Sequence, residues 1–157
     1  MEKRLLSVYL NDHLAGSVAG VELARRSQRS NEGGELGDFL AGLTREIEED
    51  RGGLLAVMRA LDVSPSRVKP RLAWVAEKAG RLKLNGRLLS YSPLSRLVEL
   101  EALVLGVTGK KSLWDALAVL APAEPRLAAF DFAALAERAQ SQIDGLERCR
   151  REAVSAL

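Results

Sequence analysis

Hydrophobic residues recur along most of the chain at spacings of three and four, which is the period of one face of an α-helix. Gly- and Pro-containing segments such as SNEGG, DVSPS and APAEP interrupt this pattern, and no stretch alternates as a strand would. The pattern therefore predicts an all-α protein forming one domain over residues 1–157. The predicted helices cover residues 3–29, 36–61, 66–86, 94–120 and 130–156.

The lengths of the connections predict how these helices are arranged. Short connections follow the first and fourth helices, so each of them should run antiparallel to the helix after it. The segment 66–86 is long enough, at about 1.5 Å per residue, to carry the chain back along the other helices. We therefore expect a four-helix up-down bundle with a long helical crossover, five helices in total.

Composition narrows the function without naming it. Hydrophobic residues make up 47% of the chain, aromatic residues only 4%, and the formal net charge is +2, so nothing global calls for nucleic acid. The single cysteine, Cys149, excludes an internal disulfide and any multi-cysteine metal site. No stretch approaches the roughly 20 apolar residues of a membrane span. These features predict a cytoplasmic protein that does not enter membranes.

Four polar residues interrupt the apolar faces of the predicted helices. Asp50 lies at seven-residue steps from Leu43 and Val57, and His13, Lys111 and Gln142 lie on or beside the other stripes. In the predicted topology all four fall within roughly 5 Å of one level. We therefore predict a mid-bundle polar layer in which Asp50 is paired with a cation, for which Lys111 and His13 are available. Such a layer serves as a structural network or a ligand site, unless the four side chains reach solvent.

Two further carboxylates, Glu46 and Glu101, are weaker candidates for this layer. Together with His13 and Asp50 they would offer ligands for iron or manganese, but Glu101 is about 12 Å along its helix from the level of Asp50. Shared ligation is therefore not expected. No metal or catalytic residue is assigned from the sequence.

The segments LNDHLAGSVAGVELARR and LVELEALVLGVTGKKSLWDAL, together with the pairing of helices around a crossover, resemble small bacterial proteins of the ferritin-like superfamily. That resemblance implies a four-helix bundle and a di-metal site made of two Glu and two Glu-x-x-His motifs. This chain has one histidine and no Glu-x-x-His motif; its nearest match is the run from Glu46 to Asp50. The resemblance is thus one of architecture, without the di-iron centre.

Helical glycines and one basic segment suggest surfaces for partners. Gly16 and Gly20, and likewise Gly52 and Gly53, indicate close packing within the bundle or at a homodimer seam. The crossover segment carries seven cations against the single acid Glu77, so it is a candidate surface for an anionic ligand or nucleic acid; the cations are Arg67, Lys69, Arg71, Lys78, Arg81, Lys83 and Arg87.

Three functional hypotheses remain. The first is a non-catalytic, ferritin-like bundle with a structural or protein-interaction role, expected to form a homodimer. The second is a metal-binding or oxidoreductase-type protein with a degenerate site around Asp50. The third is binding of an anionic ligand or nucleic acid through the basic crossover segment.

Overall fold

Four long α-helices make up most of the chain that the computed structural model describes, which is residues 2–66 and 91–157. They are α1 (Lys3–Ser30), α2 (Gly34–Ala60), α3 (Pro93–Leu120) and α4 (Phe132–Val154), and two 3-10 turns, Ala121–Ala123 and Pro125–Leu127, join α3 to α4. These residues contain no strand, which confirms the all-α prediction. The predicted ends of the four helices agree within two residues. Beyond Ser66, the helix predicted over 66–86 lies outside the described residues.

Local sequence explains where the helices begin. The side chain of Ser92 accepts a hydrogen bond from the backbone N–H of Ser95, with proline at the first position of α3, and Asp131 caps α4 in the same way. Before α2 the chain turns through Gly33 and Gly34, at φ of 86° and 72°. This left-handed region favours glycine, so the glycines of SNEGG are needed for the turn.

Each helix packs against two others. Helix α1 contacts α2 and α3, and α4 contacts the same two helices from the other side. Helix α2 and the residues that follow it run antiparallel to α1. Helix α3 also runs antiparallel to α1, so α2 and α3 run in the same direction. The contacts that establish these directions are Arg25–Glu48, Asn11–Ser64, Ser27–Glu99 and Asn31–Arg96.

Leucine-rich stripes of the four helices meet in one core. Trp114 is its largest fully buried side chain, and most residues predicted to face inward are buried or half-buried. Ala118, on the same seven-residue row as Leu97 and Val104, is exposed, whereas Leu113 and Leu117 are buried. Ala118 follows the buried Leu100 by 18 residues, which is five full turns, so the helical period alone does not account for its exposure.

No helix within the described ranges has the length and apolar character needed to cross a membrane. On the outer surface, Leu5, Val8, Leu105 and Val119 are exposed apolar side chains.

Close contact at glycine occurs where the sequence did not indicate it. A Cβ on Gly145 in α4 would lie 2.5 Å from the ring of Phe39 in α2. In contrast, no described atom comes within 4 Å of a Cβ placed on Gly16, Gly20 or Gly52. Packing against the other described helices therefore does not explain those three glycines.

We predict opposite effects of alanine at two helical glycines. Gly52→Ala should raise the free energy of unfolding by about 0.5–1 kcal/mol, because alanine loses less backbone entropy in a helix. Gly145→Ala should lower it, because the methyl group displaces the Phe39 ring from the α2–α4 interface. Urea unfolding followed by circular dichroism measures both. Equal stabilisation by the two substitutions would contradict the Phe39–Gly145 contact.

Candidate functional site

The side chain of Asp50, on α2, is the most completely enclosed charge between α2, α3 and α4, with 2% of its surface exposed. The ammonium Nζ of Lys110 on α3 donates to Oδ2, and the guanidinium Nη2 of Arg138 on α4 donates to Oδ1. Two cations from two other helices thus compensate one buried carboxylate. This compensation is what a buried ion requires, because an isolated charge in an apolar interior is strongly unfavourable.

Gln142 extends this arrangement toward the surface. Its amide oxygen accepts a hydrogen bond from Lys110, and its Nε2 lies 2.8 Å from Glu46 Oε2 and 3.4 Å from Asp50 Oδ2. We call Glu46, Asp50, Lys110, Arg138 and Gln142 the Asp50 cluster. Its two carboxylates and two cations sum to zero formal charge.

Lys110 is the titratable group most affected by this environment. Its side chain is only 16% exposed. Burial lowers the pKa of the Lys110 ammonium, while the neighbouring Asp50 carboxylate opposes that shift. Asp50 thus partly offsets the effect of burial on the pKa of Lys110.

The structure brings together only part of the predicted polar layer. Asp50 and Gln142 are in contact, and Glu46 joins them through Gln142. Lys111, one of the two available cations, is not in the layer: its Nζ lies 3.0 Å from Asp115, one turn along α3, and Lys110 lies beside Asp50 instead. Residues 110 and 111 lie about 100° apart around the axis of α3, and the seven-residue row does not decide which of them faces Asp50.

His13 and Glu101 lie apart from the cluster. The His13 ring packs edge-on against Tyr9, with ring centroids 4.6 Å apart, and within the described ranges no hydrogen bond or ion pair joins it to Asp50. Glu101 is exposed on α3. Counting residues along a helix gives the level of a side chain, but not the neighbour that it faces.

Sequence reasoning missed a second buried carboxylate, Glu99 on α3, which has no exposed surface. Its Oε2 accepts hydrogen bonds from Ser27 Oγ at 2.8 Å and Tyr91 Oη at 3.1 Å. Arg26 Nε lies 2.9 Å from Oε1, as an ion pair whose N–H is not aligned for a hydrogen bond. Glu99 precedes the buried Leu103 by four residues, so a 3.6-residue period would have placed it in the core.

Asn31 connects this carboxylate to the start of α3. It donates to Tyr91 Oη at 2.8 Å and accepts from Arg96 Nε at 2.7 Å. Burial raises the pKa of the Tyr91 hydroxyl, and the hydrogen bond from Asn31 partly offsets this. We call Arg26, Ser27, Asn31, Tyr91, Arg96 and Glu99 the Glu99 cluster.

The Asp50 cluster does not fit a resident iron or manganese ion. Both oxygens of Asp50 already accept hydrogen bonds from cations, and the neighbouring Gln142 amide supplies donors as well as an acceptor. Over residues 2–66 and 91–157, no group of three or more His, Cys, Asp and Glu side chains could hold a metal ion. A metal would have to displace Lys110 or Arg138 to reach Asp50.

A surface groove meets one edge of the Asp50 cluster. An open groove of about 250 Å³ between α2 and α4 is lined by Phe39, Glu46 and Gln142, among others, but not by Asp50 or Lys110. Asp50 and Lys110, which pair with each other, therefore lie behind the groove. This geometry suits charge neutralisation within the protein better than reaction with a bound molecule.

We predict that Lys110 and Lys111 differ sharply in their effect on stability. Asp50→Ala should lower the free energy of unfolding by more than about 2 kcal/mol, because Lys110 and Arg138 lose their counter-ion. Lys110→Met should also be destabilising, whereas Lys111→Met should change stability by less than about 0.5 kcal/mol. Denaturant melts of the three variants test this. A larger loss for Lys111→Met than for Lys110→Met would contradict the pairing described here.

His13 should make the protein less stable at mildly acidic pH. Burial lowers the pKa of His13 below its ordinary value of 6.5, and the charge of Asp12 only partly opposes this. The unfolded chain therefore binds a proton at a higher pH than the folded chain, so stability falls as pH drops below about 6.5. In thermal melts, lowering the pH from 7.5 to 5 should reduce the stability of the wild type more than that of His13→Gln. A difference that does not change with pH would contradict this prediction.

Comparison with known proteins does not assign a family. No family model matches the chain, and no similar protein is found among the curated proteins or the solved structures. The roles of the two clusters therefore have to be argued from their own contacts.

Proposed function

We propose that this protein is a non-catalytic helical scaffold that acts through protein–protein contact. The main support is that the buried carboxylates of this protein are already paired with its own side chains. Asp50 is compensated by Lys110 and Arg138, and Glu99 by Arg26 and hydroxyl donors, all from the chain itself. Ionisable groups that are already paired with one another are poorly suited to bind or activate a substrate.

A ferritin-like bundle with a helical crossover is part of this proposal. Two contacts on α1 support it: Asn11 Oδ1 accepts from the N–H of Ser66 at 2.6 Å, and Asn31 donates to Tyr91 at 2.8 Å. These two asparagines lie 20 positions apart on the same helix and its cap, which corresponds to about 30 Å. A connection between the parallel helices α2 and α3 has to cover that distance, which suits a crossover of bundle length.

We also propose that the scaffold is a homodimer, joined through the outer face of α1 and α3. Residues 13–21 of α1 and 102–109 of α3 contain no Asp, Glu, Lys or Arg. Leu105 on α3 is exposed, and Gly16 and Gly20, one turn apart on α1, leave open space around the backbone, as does Gly106 on α3. An uncharged face of this kind allows two helices to approach closely in a two-fold symmetric dimer. A cytoplasmic location is proposed with it, in keeping with the free, buried thiol of Cys149.

Sedimentation velocity tests the dimer directly. Gly20→Arg should shift the protein from dimer to monomer at micromolar concentration, because the guanidinium would be buried without a partner. Gly52→Arg is the matched control: it introduces the same side chain at an open helical glycine on α2, and it should leave the mass unchanged. A monomeric wild type would overturn the homodimer.

Two other results would redirect the proposal. If Gly20→Arg lowers the melting temperature without changing the mass, the face is covered within the chain rather than by a second copy. If the wild type retains stoichiometric iron or manganese after purification and Asp50→Asn does not, the non-catalytic role is wrong.

A further inference from the structure

A cavity of about 230 Å³ opens at the end of the molecule where α1 begins and α2 and α3 end. Its apolar wall includes the largely buried side chains of Leu6, Leu61 and Val63, together with Leu120. We call it the end cavity. Its volume is below the 300–1,000 Å³ of pockets that hold drug-sized ligands, so it suits a smaller molecule. The end cavity is separate from the Asp50 cluster, and its use does not depend on the proposed scaffold role.

The charged side chains at the rim of the end cavity differ in their ion pairing. The carboxylate of Glu124 is held by Arg126 through two hydrogen bonds of 2.8 Å, and Arg126 also reaches Asp62 at 3.2 Å. The hydrogen bond from Arg126 is the main reason that the pKa of Glu124 is lowered to about 2, so this pair stays ionised and cancels its own charge. Lys3 lines the same cavity and has no ion pair with any described residue. Arg126 thus faces two carboxylates, and Lys3 is the cation of the described lining that has no carboxylate partner.

We propose that the end cavity binds a short aliphatic monocarboxylate. The hydrocarbon chain would replace water against Leu6, Leu61 and Val63, and the carboxylate would face the Lys3 ammonium. An apolar wall beside the unpaired Lys3 ammonium is complementary to a molecule with one anionic end and one apolar end. The first turn of α1 has no side-chain cap, so its backbone N–H groups add positive potential at the same end.

Chemical-shift titration of the 15N-labelled full chain tests this proposal with a series from butanoate to decanoate. The amides of Val63 and Ala123, which line the cavity, should shift during the titration. Each added methylene should strengthen binding about fourfold until the cavity is filled, after which the gain should stop. Octylamine, with the same chain and the opposite charge, should bind more weakly than octanoate.

Two variants and one control separate the head group from the cavity. Lys3→Gln should weaken octanoate binding about fivefold, the effect of one unscreened charge pair near 4 Å in water. Arg4→Gln, which removes a charge from the next residue, does not line the cavity and should leave binding unchanged. Ala123→Phe, at an exposed position on the cavity wall, should abolish binding by filling the space.

Three results would overturn the proposal. The first is equal binding of octylamine and octanoate, and the second is equal binding by the wild type and Ala123→Phe. The third is binding to phosphatidylglycerol vesicles with no response to free octanoate, which would assign the cavity to a lipid surface instead.

Discussion

The compensation of the Asp50 carboxylate is the interaction on which the arrangement of α2, α3 and α4 depends. Taking an ionised carboxylate out of water is unfavourable by several kcal/mol unless other groups replace its hydration. Here the replacements come from Lys110 on α3 and from Arg138 and Gln142 on α4. The carboxylate can therefore be buried only when all three helices are in register. Leucine-rich stripes alone would tolerate small shifts along the helix axes; this charge network does not.

The Glu99 cluster places a similar constraint on the other side of the molecule. It joins α3 to α1 through Ser27 and Arg26, and it fixes the start of α3 through Tyr91. Every helix is thus linked to another by a buried or half-buried charge. The polar groups of the interior specify which helices meet and in which register, and this use of buried charge fits a scaffold better than an enzyme.

Two surfaces outside the buried charge clusters are the proposed sites of function. One is the uncharged outer face of α1 and α3, and the other is the end cavity beside Lys3. They differ in chemistry: the face offers close backbone approach for a protein partner, whereas the cavity offers an apolar wall and the unpaired Lys3 ammonium for a small molecule. The two proposals are independent, because these surfaces are built from different residues.

The sequence by itself determined the four described helices, their ends within two residues and the burial of Asp50, because helix periodicity and Gly or Pro breaks are local properties. It could not determine the partners of Asp50. Whether Lys110 or Lys111 faces that carboxylate depends on a rotation of about 100° about the axis of α3, which is set by packing against α2 and α4. The same limit hid the partners of Glu99 and misplaced His13. Only the tertiary structure decided these contacts, because a pairing between helices depends on their relative rotation, and no single helix encodes that rotation.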